Sequence, residues 1–404
     1  MSAFVPLVAG LLVGTPAVAG GLYVNEFSTT AQANAGAGRG AWAPDASSTL
    51  HNPATMTALD DHGFASGMSL VFGRVRFDAS DSSPNGSDDG GNQAGLAPLA
   101  SMSYVHKLAD RFRLGFTFFS LSGSVLDPED DWAGRFQLTE LSLLTISMSP
   151  TVAVRVTDWL SIGGGPLISY GRLNWDLKVD LPLEERDVSL DDFDDWEVAG
   201  RVGILLHPHE DFSLGVYYNS KTDFNLKGKL KGDQGFAADL DTELPLVQFV
   251  EVSAYWQATE RLALLALFNW EDWSEANELE VRFAGRSIEA TTGFKDTYKF
   301  GIGANFLLTE GWLLQTGVTY DTSALNTSDR IAALPIDRQI RFALGAQHEV
   351  SEAFTVGLNF VYANLGQADL RNASVRGHYE NYDLFVFGLT LSFDELWWKG
   401  RLEL

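Results

Sequence analysis

The feature that most constrains this chain is a regular alternation of long and short connections between segments whose residues alternate apolar and polar one by one. Trp312, Leu314, Thr316, Val318 and Tyr320 fall on one face of such a segment, and Leu313, Gln315, Gly317 and Thr319 on the other. Phe354, Val356, Leu358, Phe360 and Tyr362 repeat the pattern, as do Tyr298, Phe300, Ile302, Ala304 and Phe306. A period of two is the period of a strand, and aromatic residues at the run ends mark a lipid-facing barrel wall. Read in this way, the sequence predicts fourteen strands near 64–78, 99–107, 112–122, 150–157, 160–175, 196–207, 211–223, 246–258, 261–273, 296–308, 311–321, 339–349, 353–363 and 382–393.

The connections test that reading independently, because single-chain membrane barrels alternate long external loops with short periplasmic turns. The long stretch 79–98 is followed by the short 109–111, and 123–149 by 158–159. The rule continues with 176–195 and 208–210, 224–245 and 259–260, 274–295 and 309–310, 322–338 and 350–352, and ends with 364–381. A soluble β-sandwich also alternates its faces, yet it explains neither the aromatic stripes nor a systematic set of long loops. The expected fold class is all-β, a 14-stranded antiparallel transmembrane barrel.

The first residues read as a secretory signal, with an apolar run from Phe4 to Val13 and small residues at Ala17 and Ala19, so segment 1–19 is expected to be removed. No later apolar run reaches the length of a membrane-spanning helix. A formal net charge of −25 argues against nucleic acid as a partner, and zero cysteines exclude disulfides and thiolate chemistry. The 39 glycines suit a large sheet with crowded backbones.

Segment 20–63 differs from the rest, being rich in small residues and broken by Pro44 and Pro53. It is too short for a core of its own, and its small side chains suit it to fill a barrel lumen as a hatch. The barrel then spans 64–393 and leaves a tail, 394–404.

Inward positions carry Arg155, Glu197, Arg201, Glu251, Lys299 and Arg341. Charges in a dry interior need a partner, so they are expected to form a network holding the hatch or to meet a solute. The acidic run containing Asp191, Asp192, Asp194 and Asp195 reads as a solvated loop, with calcium binding as the competing reading; whether any metal binds is left open. The second external loop places Leu138, Leu141, Leu143, Leu144 and Ile146 close together without strict alternation. That pattern suggests a short helix over the barrel mouth or an apolar groove, continued by Ala237 to Leu246. Arg135, beside Phe136, is the candidate for a carboxylate head group. The seven histidines are scattered, and no GxSxG, HExxH or phosphate-cradling loop stands in a suitable context, so no catalytic residue and no cofactor are expected.

The opening GLYVNEFSTTAQANAGAGRGAWAPDASSTLHNPATM, with Asn52, Pro53 and Ala54, resembles the start of the long-chain fatty acid transporter family of Gram-negative outer membranes. That family also includes uptake channels for toluene and related aromatic hydrocarbons. WAGRF at 132–136, SMSPTVAVRVTDWLSIGGG at 147–165, NWEDWSE at 269–275 and the stretch 318–350 extend the resemblance in order along almost the whole chain. It implies a monomeric barrel closed by a hatch, with the hatch N-terminus at Gly20, Gly21, Leu22 and Tyr23 and the hatch motif at Asn52 to Ala54. Substrate would enter an external groove, here Arg135, Phe136, Leu138, Leu141 and Leu144. It would leave through a kink in the third strand, where Phe118, Phe119 and Gly123 lie. The barrel is expected to contact outer-membrane lipid and lipopolysaccharide. Phe393 matches the aromatic end of such barrels, whereas the tail DELWWKGRLEL departs from it.

The function implied is passive uptake of long-chain fatty acids or similar hydrophobic compounds. Uptake of aromatic or alkane hydrocarbons is the alternative, and a structural or adhesive surface barrel is the alternative of another class. A cation at one end of an otherwise apolar pocket favours the acid.

Overall fold

The computed structural model describes residues 29–393 apart from 182–183, 233–235, 284–285, 328, 336 and 372–373. The expected signal segment, Gly20 to Tyr23 and the tail after Phe393 lie outside the described residues.

Strands are numbered along the chain. The wall consists of β1 (Gly63–Ala79), β2 (Leu96–Ala109), β3 (Phe112–Leu126), β4 (Glu140–Arg155), β5 (Leu160–Leu181), β6 (Glu184–His209) and β7 (Phe212–Asn219). It continues with β10 (Phe249–Gln257), β11 (Leu262–Glu271), β14 (Thr297–Thr309), β15 (Trp312–Asp321), β16 (Gln339–Ser351), β17 (Phe354–Asn364) and β19 (Arg376–Phe393). Each pairs antiparallel with its neighbour, and β19 closes on β1 from Phe64↔Phe393 to Ala79↔Gly377. The result is a closed 14-stranded barrel, and every expected strand falls on one of its staves. The remaining strands, β8 (Thr222–Gly232), β9 (Phe236–Leu246), β12 (Glu278–Phe283), β13 (Arg286–Thr291) and β18 (Asp369–Arg371), lie in the long connections.

The outward positions form an apolar belt. Leu70, Val198, Val202, Ile302, Leu344 and Leu358 are exposed along it, far more apolar surface than a soluble monomer leaves uncovered. Trp159, Trp256 and Trp312 stand near its short-turn end, and Phe72, Trp196, Tyr298 and Tyr320 near its long-loop end. Trp312 and Tyr320 are separated by roughly 20 Å along the membrane normal for tilted strands, close to the height of an outer-membrane apolar band.

Three connections are more ordered than expected. Glu140–Arg155 is a single strand, so the Leu138 to Ile146 region is not a helix over the mouth. Leu141 and Leu143 point inward and are buried while Leu144 points outward, which puts leucine on both faces and erases the alternation. The acidic stretch 176–195 belongs to the β5–β6 hairpin, and 224–245 to the β8–β9 hairpin, so the strand expected at 211–223 ends at Asn219. Strands that rise beyond the membrane still need one buried face. Here Leu173, Trp175, Leu177, Val179, Val188 and Leu190 pack into one apolar core with Phe224, Leu240 and Trp273 beneath the loops.

Candidate transport path

Segment 29–58 forms three short 3-10 turns, Thr30–Asn34, Ala46–Leu50 and Pro53–Ala58, almost wholly buried against inward positions of the wall. Asn52 caps the third turn, its Oδ1 accepting from Ala54 N at 3.0 Å, and Pro53 fits the first helical position because it lacks the N–H that would go unused there. The Asn52 amide donates to Gly40 O at 2.8 Å and to Ile204 O on β6 at 3.0 Å, so one side chain ties the turn to the segment and to the wall.

The wall makes room with glycine. A Cβ on Gly203 would stand 1.8 Å from Asn52 Oδ1, and one on its cross-strand partner Gly163 would stand 2.7 Å from the Ala54 nitrogen. On another arc of the wall, a Cβ on Gly317 would meet Asn34 O at 2.0 Å, and one on its partner Gly303 would meet Ala37 Cβ at 3.2 Å. Asn34 Nδ2 donates to Asn305 Oδ1 at 2.8 Å, and Gln315 donates back to Asn34 Oδ1 at 2.8 Å. The high glycine count therefore includes paired grooves that receive two parts of the inner segment.

Most inward charges are matched. Arg39 of the inner segment pairs with Glu251 at 2.5 Å. Lys299 lies 3.8 Å from Glu271 and 3.5 Å from Asp321, which also receives Arg341 at 2.9 Å. Arg155 donates to Thr57 O, and Arg201 to the carbonyls of Thr49 and Leu50. Asp45, buried, accepts from Thr30, from Ser47 N and from Ser392 of β19.

The ladder between β2 and β3 is cut short. The β2–β3 ladder runs from Ala109↔Phe112 to Ser101↔Phe119 and stops, and the next contact is a single bridge, Ala94↔Leu126. On the other side of β3 the register slips between Ser120 and Ser122, a bulge that turns the strand away from β2. A pocket of about 330 Å³ fills the gap. Val71, Leu143, Tyr382 and Leu384 line its lumen side, and Leu96, Val125 and Leu144 its lipid side. Of the expected opening residues, Gly123 lines this pocket, Phe118 faces lipid and Phe119 is buried toward the lumen. The β2 side, Leu96 to Leu99, was not foreseen. Its signal was Pro98, because a proline has no N–H for a ladder and belongs where a strand has a free edge.

The groove candidates part company. Leu138 and Leu141 are fully buried in the apolar core under the loops, Phe136 nearly so, and Leu144 lines the wall pocket. Arg135 lies over the Phe136 ring at 4.5 Å, but both edges of its contact go to Glu185, at 3.0 and 2.7 Å. That hydrogen bond raises the Arg135 pKa.

The acidic run does not converge. Asp191 pairs with Lys231, Asp192 with Arg172, Asp194 accepts from Tyr170 and Asp195 from Asn225 N. Among the described residues, possible metal ligands gather instead at Asp78, His378 and Glu380 and at the exposed turn His209, Glu210 and Asp211.

A family model described as outer membrane protein transport protein (OMPP1/FadL/TodX) matches residues 10–388. The chain belongs to this family. Its members are transport channels of Gram-negative outer membranes, and that is where this barrel resides. The chain is 22% identical over 397 residues to a long-chain fatty acid transport protein of Escherichia coli, covering 88% of this chain and 89% of the relative. It is 25% identical over 410 residues to outer membrane protein P1 of Haemophilus influenzae, covering 88% of each. Among solved structures, a Pseudomonas aeruginosa FadL homologue superposes with a TM-score of 0.84 at 18% identity, over 93% of this chain and 100% of that one. The Pseudomonas putida toluene transporter TodX superposes at 0.72 with 16% identity, over 93% and 100%. At these identities the superpositions establish a common fold.

Proposed function

We propose that this family member carries long-chain fatty acids or similar hydrophobic compounds passively from an external groove, through the lumen, to a lateral opening between β2 and β3. The observation that carries the reading is the interrupted ladder with an apolar pocket reaching from the lumen side to the lipid side. Its volume, about 330 Å³, lies within the range of small-molecule sites, roughly 300–1,000 Å³. A hydrophobic solute gains about 0.8 kcal/mol per CH₂ on leaving water, so a path that keeps it in apolar contact needs neither ATP nor an ion gradient. A water-filled pore would offer it a barrier instead.

In this reading residues 20–63 are the hatch, with Asn52, Pro53 and Ala54 fixing it to the wall and Gly20 to Tyr23 as its N-terminus. Residues 64–393 are the barrel, and 1–19 the removed signal. Phe136, Leu138, Leu141 and Leu144 supply the apolar floor from loop to opening, and Arg135 receives a carboxylate by exchanging it for Glu185. Phe118, Phe119 and Gly123 border the exit. The barrel works as a monomer among outer-membrane lipid and lipopolysaccharide, without a cofactor and without catalysis.

The test is binding of a fluorescent long-chain fatty acid to the detergent-solubilised protein, with toluene and a neutral alkane as competitors. Saturable binding displaced by other fatty acids is expected. Displacement by toluene or the alkane alone would move the substrate class to hydrocarbons, and absence of saturable binding would end the proposal.

A further inference from the structure

The outward face of β1 changes character within one pleat. It carries Met68, Leu70 and Phe72, all exposed along the apolar belt, and then, toward the long loops, Arg74 and Arg76, both exposed. The intervening Val75 and Phe77 are buried in the core under the loops, which fixes both arginines on the outside of the barrel. Phe72 belongs to the aromatic residues at the long-loop end of the belt, so the two guanidinium groups stand just beyond the hydrocarbon, roughly 7 Å apart along the strand.

Neither arginine is used by the fold. Arg74 is the cross-strand partner of Asp383, but that carboxylate is buried and accepts from Tyr362 OH and Asn364 Nδ2, both at 2.8 Å. Asp78, one pleat beyond Arg76, directs its carboxylate to His378 at 3.8 Å. Among the described residues no carboxylate comes within 4 Å of either guanidinium. On the β2 side β1 is met by Asn92 and Gly95, both small and uncharged.

The outer rim is finished differently elsewhere. Trp270 donates to Asp296 at 2.9 Å, Tyr170 to Asp194 at 2.8 Å and Tyr362 to Asp383, so aspartates cap the aromatic residues there. Arg172, one pleat beyond Tyr170 on β5, is ion-paired with Asp192 at 2.6 Å. In a chain of net charge −25, two neighbouring arginines without a carboxylate, at the level of lipid head groups, call for an anion from outside the chain. A phosphate fits the guanidinium fork and is what a phosphorylated lipid presents at that depth. The place is also specific. Gly73, between Phe72 and Arg74, lines the pocket between β2 and β3, and Leu96, the partner of Phe72, lines its lipid side.

We propose that Arg74 and Arg76 bind the phosphate of one outer-leaflet phosphoglycolipid, whose acyl chains lie on Leu70, Phe72 and Leu96 and form the lipid border of the β2–β3 opening. The proposal uses the outer-membrane location and the pocket, and it is independent of which molecule is transported.

The experiment measures retention of diphosphoryl lipid A on the full, delipidated chain in detergent by native mass spectrometry, beside the same lipid stripped of its phosphates. The wild type is expected to hold the phosphorylated lipid about tenfold or more tightly than the double variant Arg74→Gln, Arg76→Gln. The phosphate-free lipid should not distinguish the two proteins, and lysine at both positions should restore part of the difference. Arg172→Gln, at the same rim, should retain the lipid as the wild type does. Equal retention by the wild type and the double glutamine variant would overturn the proposal, as would an equal loss in Arg172→Gln, which would mean attraction to the rim as a whole. Inorganic phosphate should displace the lipid only weakly, since it lacks the acyl contacts. Full displacement by inorganic phosphate at equal concentration would make this a site for the free anion and overturn the lipid assignment. In a structure of the wild type with the lipid, a phosphate within hydrogen-bond distance of Arg74 or Arg76 supports the proposal, and its placement elsewhere overturns it.

Discussion

The two halves of the interior are built on opposite principles. In the membrane-level half, glycines of the wall meet the backbone of segment 29–58, and the contact is sealed by amides and ion pairs such as Asn52 to Ile204 O and Arg39 to Glu251. In the half under the long loops, leucine, phenylalanine and tryptophan from neighbouring hairpins pack into one apolar core. The first half depends on fit: directional bonds hold a segment in one position and release it when they are exchanged. The second depends on area, is tolerant of detail, and offers a hydrophobic solute an apolar environment. A solute moving inward passes from the second kind of surface to the first, and the wall opens beside that border.

The sharpest way to break this comparison is to give the wall a side chain where the inner segment lies. Gly317→Val is expected to push Asn34 off the wall, since even a Cβ would stand 2.0 Å from its carbonyl oxygen. The barrel should persist while the segment becomes displaced, read as new sensitivity of residues 29–58 to protease and as a gain in single-channel conductance. Gly200→Ala is the control, because its Cβ would meet only Ser220 Oγ at 3.9 Å, and it should change neither readout. Equal behaviour of the two variants would contradict the proposed glycine groove.

A smaller effect is expected in the upper half. Leu141→Ala removes a fully buried side chain from the loop core, at a cost of about 2–5 kcal/mol. Proteolysis should then reach the long loops at lower temperature while the inner segment stays protected. Loss of protection in segment 29–58 at the same temperature would show that the two halves are a single cooperative unit.

How far these halves were legible differs for the same reasons. Every stave of the wall was readable, because lipid on one side and a polar lumen on the other impose a period of two. The glycines were readable as crowding but not as paired grooves, since Gly163 and Gly203, or Gly303 and Gly317, come together only through register. The loop half was read worst. Beyond the membrane both faces of a strand can be apolar, and Leu141 with Leu143 inside and Leu144 outside looks like a helix or a disordered cluster when read along the chain. Arg201 was recognisable as an inward charge, but that it meets the carbonyls of Thr49 and Leu50 on the inner segment follows only from the fold. The bulge beside Ser120 left only Gly123 and Pro98 as traces.

The smallest effect is expected at the outer rim. Arg135→Ala breaks the pair with Glu185, which is partly exposed, and stability should fall by no more than about 1 kcal/mol. If Arg135 also receives an incoming carboxylate, association of a fatty acid should slow in this variant while a neutral alkane is unaffected. Equal rates for wild type and variant would remove Arg135 from the path.

The most direct test of the account is uptake of a radiolabelled long-chain fatty acid by cells carrying the wild type or Gly123→Phe, with binding to the purified proteins measured in parallel. A phenyl ring at Gly123 fills the pocket between β2 and β3. Overpacking of about 1–3 kcal/mol on the exit step corresponds to slowing by roughly 5- to 160-fold. Uptake is predicted to fall in that range while fatty acid still binds. Undiminished uptake through a correctly folded Gly123→Phe barrel would contradict lateral exit and point to a path through the lumen to the periplasm.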